Sequence, residues 1–111
     1  MKIAITSSGK DLNATVDPRF GRCSYFIIVD VDSMEFKSVD NPAVTASGGA
    51  GIRAAQMLAD EGIEAVITGN VGPNAIRTLN IAEIEVYSGA EGTVEDTIRL
   101  FKEGKLTKAD S

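Results

Sequence analysis

An α/β domain built on a mixed sheet, with helices on both faces, is the fold this sequence predicts, and three observations predict it. The N-terminal part holds β-branched and aromatic runs of strand length, the later two joined by a short link. The second half alternates apolar runs of strand length with segments whose apolar residues recur at helical spacing. The run Ala65-Val66-Ile67 is apolar without alternation, as expected of a parallel strand covered on both faces. A chain of 111 residues has room for one domain with a real core. That domain is expected over residues 1–104, followed by a polar tail, 105–111, that should fray.

Taken in order, Lys2 to Thr6 and Tyr25 to Val31 are strand runs, and Met34 to Val39 alternates as the return arm of a hairpin with one solvated face. A loop from Asp40 to Ser47 follows. Ile52, Ala55, Leu58 and Ala59 mark a first helix over Ile52 to Asp60, stopped by Gly62. Ile63 to Thr68 is the central strand. Pro73 opens a second helix, where its missing N–H does no harm, with Ala75, Ile76 and Leu79 as its buried stripe. Ile84 to Tyr87 is a fifth strand. Thr93-Val94-Glu95-Asp96 resembles a capping box, and Val94, Ile98 and Phe101 continue a third helix as far as Gly104. The predicted order is three strands in meander, then α-β-α-β-α, in a five-stranded sheet.

Composition excludes several classes. The chain is 43% hydrophobic and 24% charged, and no apolar run approaches the roughly 20 residues of a membrane span. Met1 to Thr6 is too short for a signal sequence, and a single cysteine permits no internal disulfide, so a cytoplasmic location is expected. A net charge of −5 disfavours nucleic acid as a partner. There is no histidine, so neither a Ser-His nor a Cys-His pair can form, and a non-enzyme is expected.

What the chain does offer is two glycine turns, each running into a helix: Ser47-Gly48-Gly49-Ala50-Gly51 and Gly69-Asn70-Val71-Gly72-Pro73-Asn74. Glycine lets main-chain N–H groups approach a ligand, and a helix start leaves such groups unpaired and partially positive. Two such turns on one sheet edge can share an anion. The loop from Ser8 to Ser24 carries Arg19, Arg22 and the only thiol, Cys23, and would complete an electropositive corner if it folds over that edge. Each feature has a plainer alternative. The glycines serve close packing, the arginines pair with Asp11 or Asp17, Asn70 and Asn74 cap the second helix, and Cys23 is a small buried hydrophobe rather than a ligand.

The segments Asp17-Pro18-Arg19-Phe20-Gly21-Arg22-Cys23-Ser24-Tyr25-Phe26, Ser47 to Ile52 and Thr68 to Ala75 together resemble the dinitrogenase iron-molybdenum cofactor biosynthesis family, which includes NifX-like carrier and accessory proteins. The resemblance spans nearly the whole chain. It implies a ribonuclease H-like fold and a carrier or chaperone of an anionic metal-sulfur cluster, whether the iron-molybdenum cofactor or another molybdenum, iron or copper sulfide. It further implies donor and acceptor proteins for that cluster. Carried onto this chain, the cradle would comprise Arg19, Arg22, Cys23, Ser47, Gly48, Gly49, Ala50, Gly51, Gly69, Asn70, Gly72 and Asn74. Where some members have histidine before the Phe-Gly-Arg triplet and in the first glycine loop, this chain has Arg19, Thr45 and Ser47. It offers soft metals one sulfur, Cys23, and no imidazole, so a closed four-ligand site is excluded within one chain. A homodimer would bring a second Cys23.

A phosphate-containing ligand, held by the same cradle in a regulatory protein without any cluster, is the alternative. A nuclease is not, because neither Lys2 to Thr6 nor Ala65 to Thr68 carries the carboxylates a two-metal site needs.

Overall fold

The computed structural model describes residues 1–43 and 48–109. Its elements run β1 (Lys2–Ser7), β2 (Tyr25–Asp30), β3 (Phe36–Asp40), α1 (Ala50–Asp60), β4 (Ala65–Ile67), α2 (Pro73–Ile81), β5 (Glu85–Ser88), α3 (Val94–Lys102) and β6 (Thr107–Lys108). They form one mixed open sheet in the order β3-β2-β1-β4-β5-β6. The β1-β2-β3 meander and the alternation that follows agree with the sequence.

The number of strands does not. Five were expected and six are present, because Thr107 and Lys108, placed in the fraying tail, pair antiparallel with Ser88 and Tyr87. The reason is local. Leu106 packs against the cluster beneath α3, the Ala109 N–H donates to the Val86 carbonyl at 2.8 Å, and Lys108 reaches Glu85 at 2.8 Å. A polar composition hides those main-chain bonds from any pattern of side chains.

The apolar runs are continuous because both faces of the sheet are covered. Along β1, Ala4 faces one core while Ile3 and Ile5 face the other; along β2, Phe26 and Ile28 oppose Ile27 and Val29. The first core receives Ala54, Ala55 and Leu58 of α1 and Ala75 and Leu79 of α2, and the second receives Val94 and Ile98 of α3. Among the described residues, no helix is long and apolar enough to cross a membrane.

One consequence of the topology positions everything functional. β1 is parallel to β4, β4 to β5, and β3 lies antiparallel to β2, which is itself antiparallel to β1. β1, β3, β4 and β5 therefore all end at the same edge, and the loop after β1 and the starts of all three helices gather there, where open α/β sheets hold their ligands.

Deleting residues 106–111 removes the β6 pairing and uncovers the edge of β5. Urea unfolding should show a loss of about 1–2 kcal/mol, the sum expected for two main-chain bonds and partial burial of Leu106. An unchanged midpoint would make β6 incidental.

Candidate functional site

The long loop closes over the strand-end edge of the sheet because its main chain is paired there. The Asp17 N–H donates to the Thr6 carbonyl at 3.0 Å, the Asn70 N–H to the Pro18 carbonyl at 2.6 Å, and the Phe20 N–H to the Asn70 carbonyl at 3.1 Å. Thr6 Oγ1 donates to the Asp17 carbonyl at 2.6 Å and lies 2.9 Å from Thr68 Oγ1, joining the ends of β1 and β4 to the loop. Asp17 is buried, and its carboxylate accepts from both the main chain (2.9 Å) and the guanidinium (3.2 Å) of Arg19.

Several glycines are explained by this close docking. A Cβ on Gly69 would stand 2.6 Å from Pro18 Cα, and one on Gly21, whose φ is 92°, would stand 2.9 Å from the Gly51 main chain. Gly48 and Gly72 are different. A Cβ on either meets nothing within 4 Å among the described residues, and Gly72 has an extended backbone with φ −76°. Packing against the described residues therefore does not account for glycine at these two positions.

The three helix starts on this edge are treated unequally. At α3 the Val94 N–H donates to the Ala14 carbonyl and the Glu95 N–H to the Leu12 carbonyl, both at 2.9 Å, while Thr93 Oγ1 accepts from Asp96 N at 3.1 Å. Glu95 and Asp96 add negative charge in the first turn. α1 and α2 begin at Gly49 and Gly72, neither of which can supply a side-chain cap, and neither first turn holds an acid. The N–H groups of Ala50, Gly51, Ile52, Asn74 and Ala75 have no acceptor among the described residues.

Those two bare starts face one cleft of about 320 Å³. It is lined from α1 by Gly49 to Ile52, from α2 by Gly72 to Ala75, and from the long loop by Phe20 and Arg22. Of the residues the sequence pointed to, Arg22, Gly49, Ala50, Gly51, Gly72 and Asn74 meet there, and Gly48 is exposed beside them. Ser47 lies outside the described residues. Gly69 and Asn70 are used to dock the loop and border a separate hollow with Ser88, Gly89 and Lys108. Arg19 pairs with Asp17, as the plainer reading of the arginines had it.

Cys23 is not in the cleft. It is fully buried among Phe20, Phe26 and Ala50 in the core shared by α1 and α2. Burial, aided by the charge of Asp17, pushes its thiol up to about 12, so it is a neutral thiol near pH 7. Among the described residues, no group of three or more His, Cys, Asp or Glu side chains converges to hold a metal ion.

Sequence reasoning missed Asn41 and Phe20. Asn41 is buried, and its Nδ2 donates to the carbonyls of Gly21 (2.9 Å) and Cys23 (3.0 Å), on either side of Arg22. Its Oδ1 accepts from Ala43 N at 3.0 Å, tying the loop after β3 to the loop after β1. An asparagine beside Pro42 signals only a turn, so nothing in the sequence marks it. Phe20 stacks edge-on with Phe26 at 5.8 Å and forms an apolar wall of the cleft.

At the strand-end edge two helix starts without side-chain caps line a common cleft, an arrangement that can receive an anion. Residues 1–104 match the family model "Dinitrogenase iron-molybdenum cofactor", and the chain belongs to that family. The apo form of the orange protein from Desulfovibrio gigas superposes with a TM-score of 0.96 at 43% identity, over 99% of this chain and 93% of that one. The NMR structure of the Thermotoga protein TM1290 follows at a TM-score of 0.84 and 42% identity, over 96% of this chain and 91% of its own. The uncharacterized protein MJ0580 of Methanocaldococcus jannaschii is 35% identical across 97% of this chain and 91% of its length.

Two expectations follow. Because the folded thiol titrates far above an unfolded one, the stability that Cys23 contributes is complete below about pH 9 and lost as pH rises towards 12. Cys23→Ala should flatten that alkaline slope in pH-dependent unfolding, and an unchanged slope would mean the thiol is open to solvent. Asn41→Ala strands two buried carbonyls and an N–H, at about 2–4 kcal/mol by chemical denaturation.

Proposed function

We propose that this protein is a non-catalytic cytoplasmic carrier or scaffold for a compact, anionic metal-sulfur cluster, seated in the cleft between the starts of α1 and α2. The reading rests on one observation: α3 has its first N–H groups paired, capped and flanked by acids, whereas the first N–H groups of α1 and α2 have no acceptor among the described residues and both starts line one cleft. Unpaired N–H groups and helix dipoles favour an anion, and Arg22 at the rim adds a cation.

The walls bear on which anion. Phe20, Ala50, Ile52, Pro73 and Ala75 give the cleft substantial apolar surface. A hard, strongly hydrated phosphate gains little from such walls, while the polarizable sulfide shell of a cluster is satisfied by dispersion contacts together with a few N–H donors. Family membership points the same way, and the D. gigas relative is described in an apo form. With Cys23 in the core, the grip would be electrostatic and reversible, which suits a protein that receives its cargo from a donor and hands it to an acceptor. The proposed kinship of the fold, implied by the same resemblance, is ribonuclease H-like.

Wild-type protein reconstituted with iron, sulfide and molybdate should retain visible absorption after desalting. Gly72→Asp separates stability from function. Its carboxylate would cap the Asn74 and Ala75 N–H groups at a position with open space and extended backbone, raising stability by about 1 kcal/mol while expelling the anion. Arg22→Ala should weaken retention at unchanged fold, read by circular dichroism. Equal retention by all three proteins would overturn the cleft as the site.

A further inference from the structure

The two helix starts are held apart by very little. Gly51, the second residue of α1, and Ala75, the third of α2, both line the cleft and face each other; a Cβ built on Gly51 would stand 3.0 Å from the Ala75 methyl. The long loop packs against the same residue, since a Cβ built on Gly21 would fall 2.9 Å from both Gly51 N and Gly51 Cα. Loop, α1 and α2 are thus stacked through three residues that contribute a single methyl group between them. The N–H groups of Ala50, Gly51 and Ile52 belong to one side of that stack and those of Asn74 and Ala75 to the other.

We infer that the Ala75 methyl, seated against Gly51, is the spacer that sets the distance between the two sets of donors and so selects the size of the polyanion the cleft accepts. The inference rests on the anion-cleft reading above and names what decides its specificity. A methyl on Gly51 would stand 3.0 Å from the Ala75 methyl, and the Gly51 main chain is itself packed against Gly21, so Ala75 and with it α2 must give by a few tenths of an ångström. Removing the methyl from Ala75 has the opposite effect. Neither change alters donor chemistry, since the groups facing the anion are main-chain N–H in every case, and close-packed elements transmit such displacements rather than absorb them.

The test uses calorimetric titration of molybdate and tetrathiomolybdate, dianions of equal charge and different size, into wild type, Gly51→Ala, Ala75→Gly and the double variant that swaps the methyl across the contact. Gly51→Ala should shift the ratio of the two affinities by about tenfold towards tetrathiomolybdate, and Ala75→Gly should shift it towards molybdate. The double variant should return the ratio to within about twofold of wild type. Should Gly51→Ala fail to fold, Ala75→Gly, which adds no atoms, carries the test. Parallel weakening of both anions, or an unchanged ratio, while wild type binds them would overturn the spacer and leave the cleft reading standing. Wild type binding neither anion would overturn both.

Discussion

The main-chain pairing of Pro18 to Phe20 with Asn70 is the contact on which the rest of this edge depends. It lays the long loop across the ends of β1 and β4, and that placement brings Gly21 against Gly51, Arg22 to the rim of the cleft and Cys23 into the core. It needs Gly69, since any side chain there would collide with Pro18. The contact therefore explains why part of the second glycine turn serves architecture, while the part beginning at Gly72 lines the cleft. The same loop supplies the carbonyls of Leu12 and Ala14 to α3, so one segment closes one helix start and frames two others.

Much of the fold was legible because apolar pattern and burial coincide. The Ala65-Val66-Ile67 run signalled a strand buried on both faces, and the meander and the helix boundaries followed from short links, Pro73 and the stop at Gly62. β6 was illegible because its stabilising bonds are made by main chain, about which Thr107 and Lys108 say nothing. The site was legible in part for a related reason. Glycine marks places where the backbone must come close to something, without saying to what. In this chain Gly21, Gly51 and Gly69 come close to other parts of the protein, and Gly48 and Gly72 to none of the described residues. Only coordinates distinguish the two groups.

Charged and reactive side chains were the least informative. Arg19 and Arg22 stand three positions apart in one loop, yet one braces the buried carboxylate of Asp17 and the other borders the cleft. Cys23, next to Arg22 in sequence, is buried in the core with Asn41 Nδ2 3.8 Å from its sulfur, because the chain leaves the turn closed by the Arg22 N–H and the Arg19 carbonyl at that point, while Arg22 itself is exposed. Adjacency along the chain therefore carried no information about adjacency in space. The residue that organises this stretch, Asn41, is remote in sequence and chemically unremarkable.

As the proposed seat of a polyanion, the cleft would be an attractive spot set in a repulsive envelope. The chain carries a net charge of −5, while the cleft presents partial charges and one guanidinium, whose fields fade within a turn of helix or a Debye length of about 10 Å. A free polyanion drifting in from bulk solution meets opposition first and welcome only at contact. Raising ionic strength would thus hasten encounter before it loosened the grip, and delivery by a docked protein, which bypasses the outer field, would outpace capture from solution.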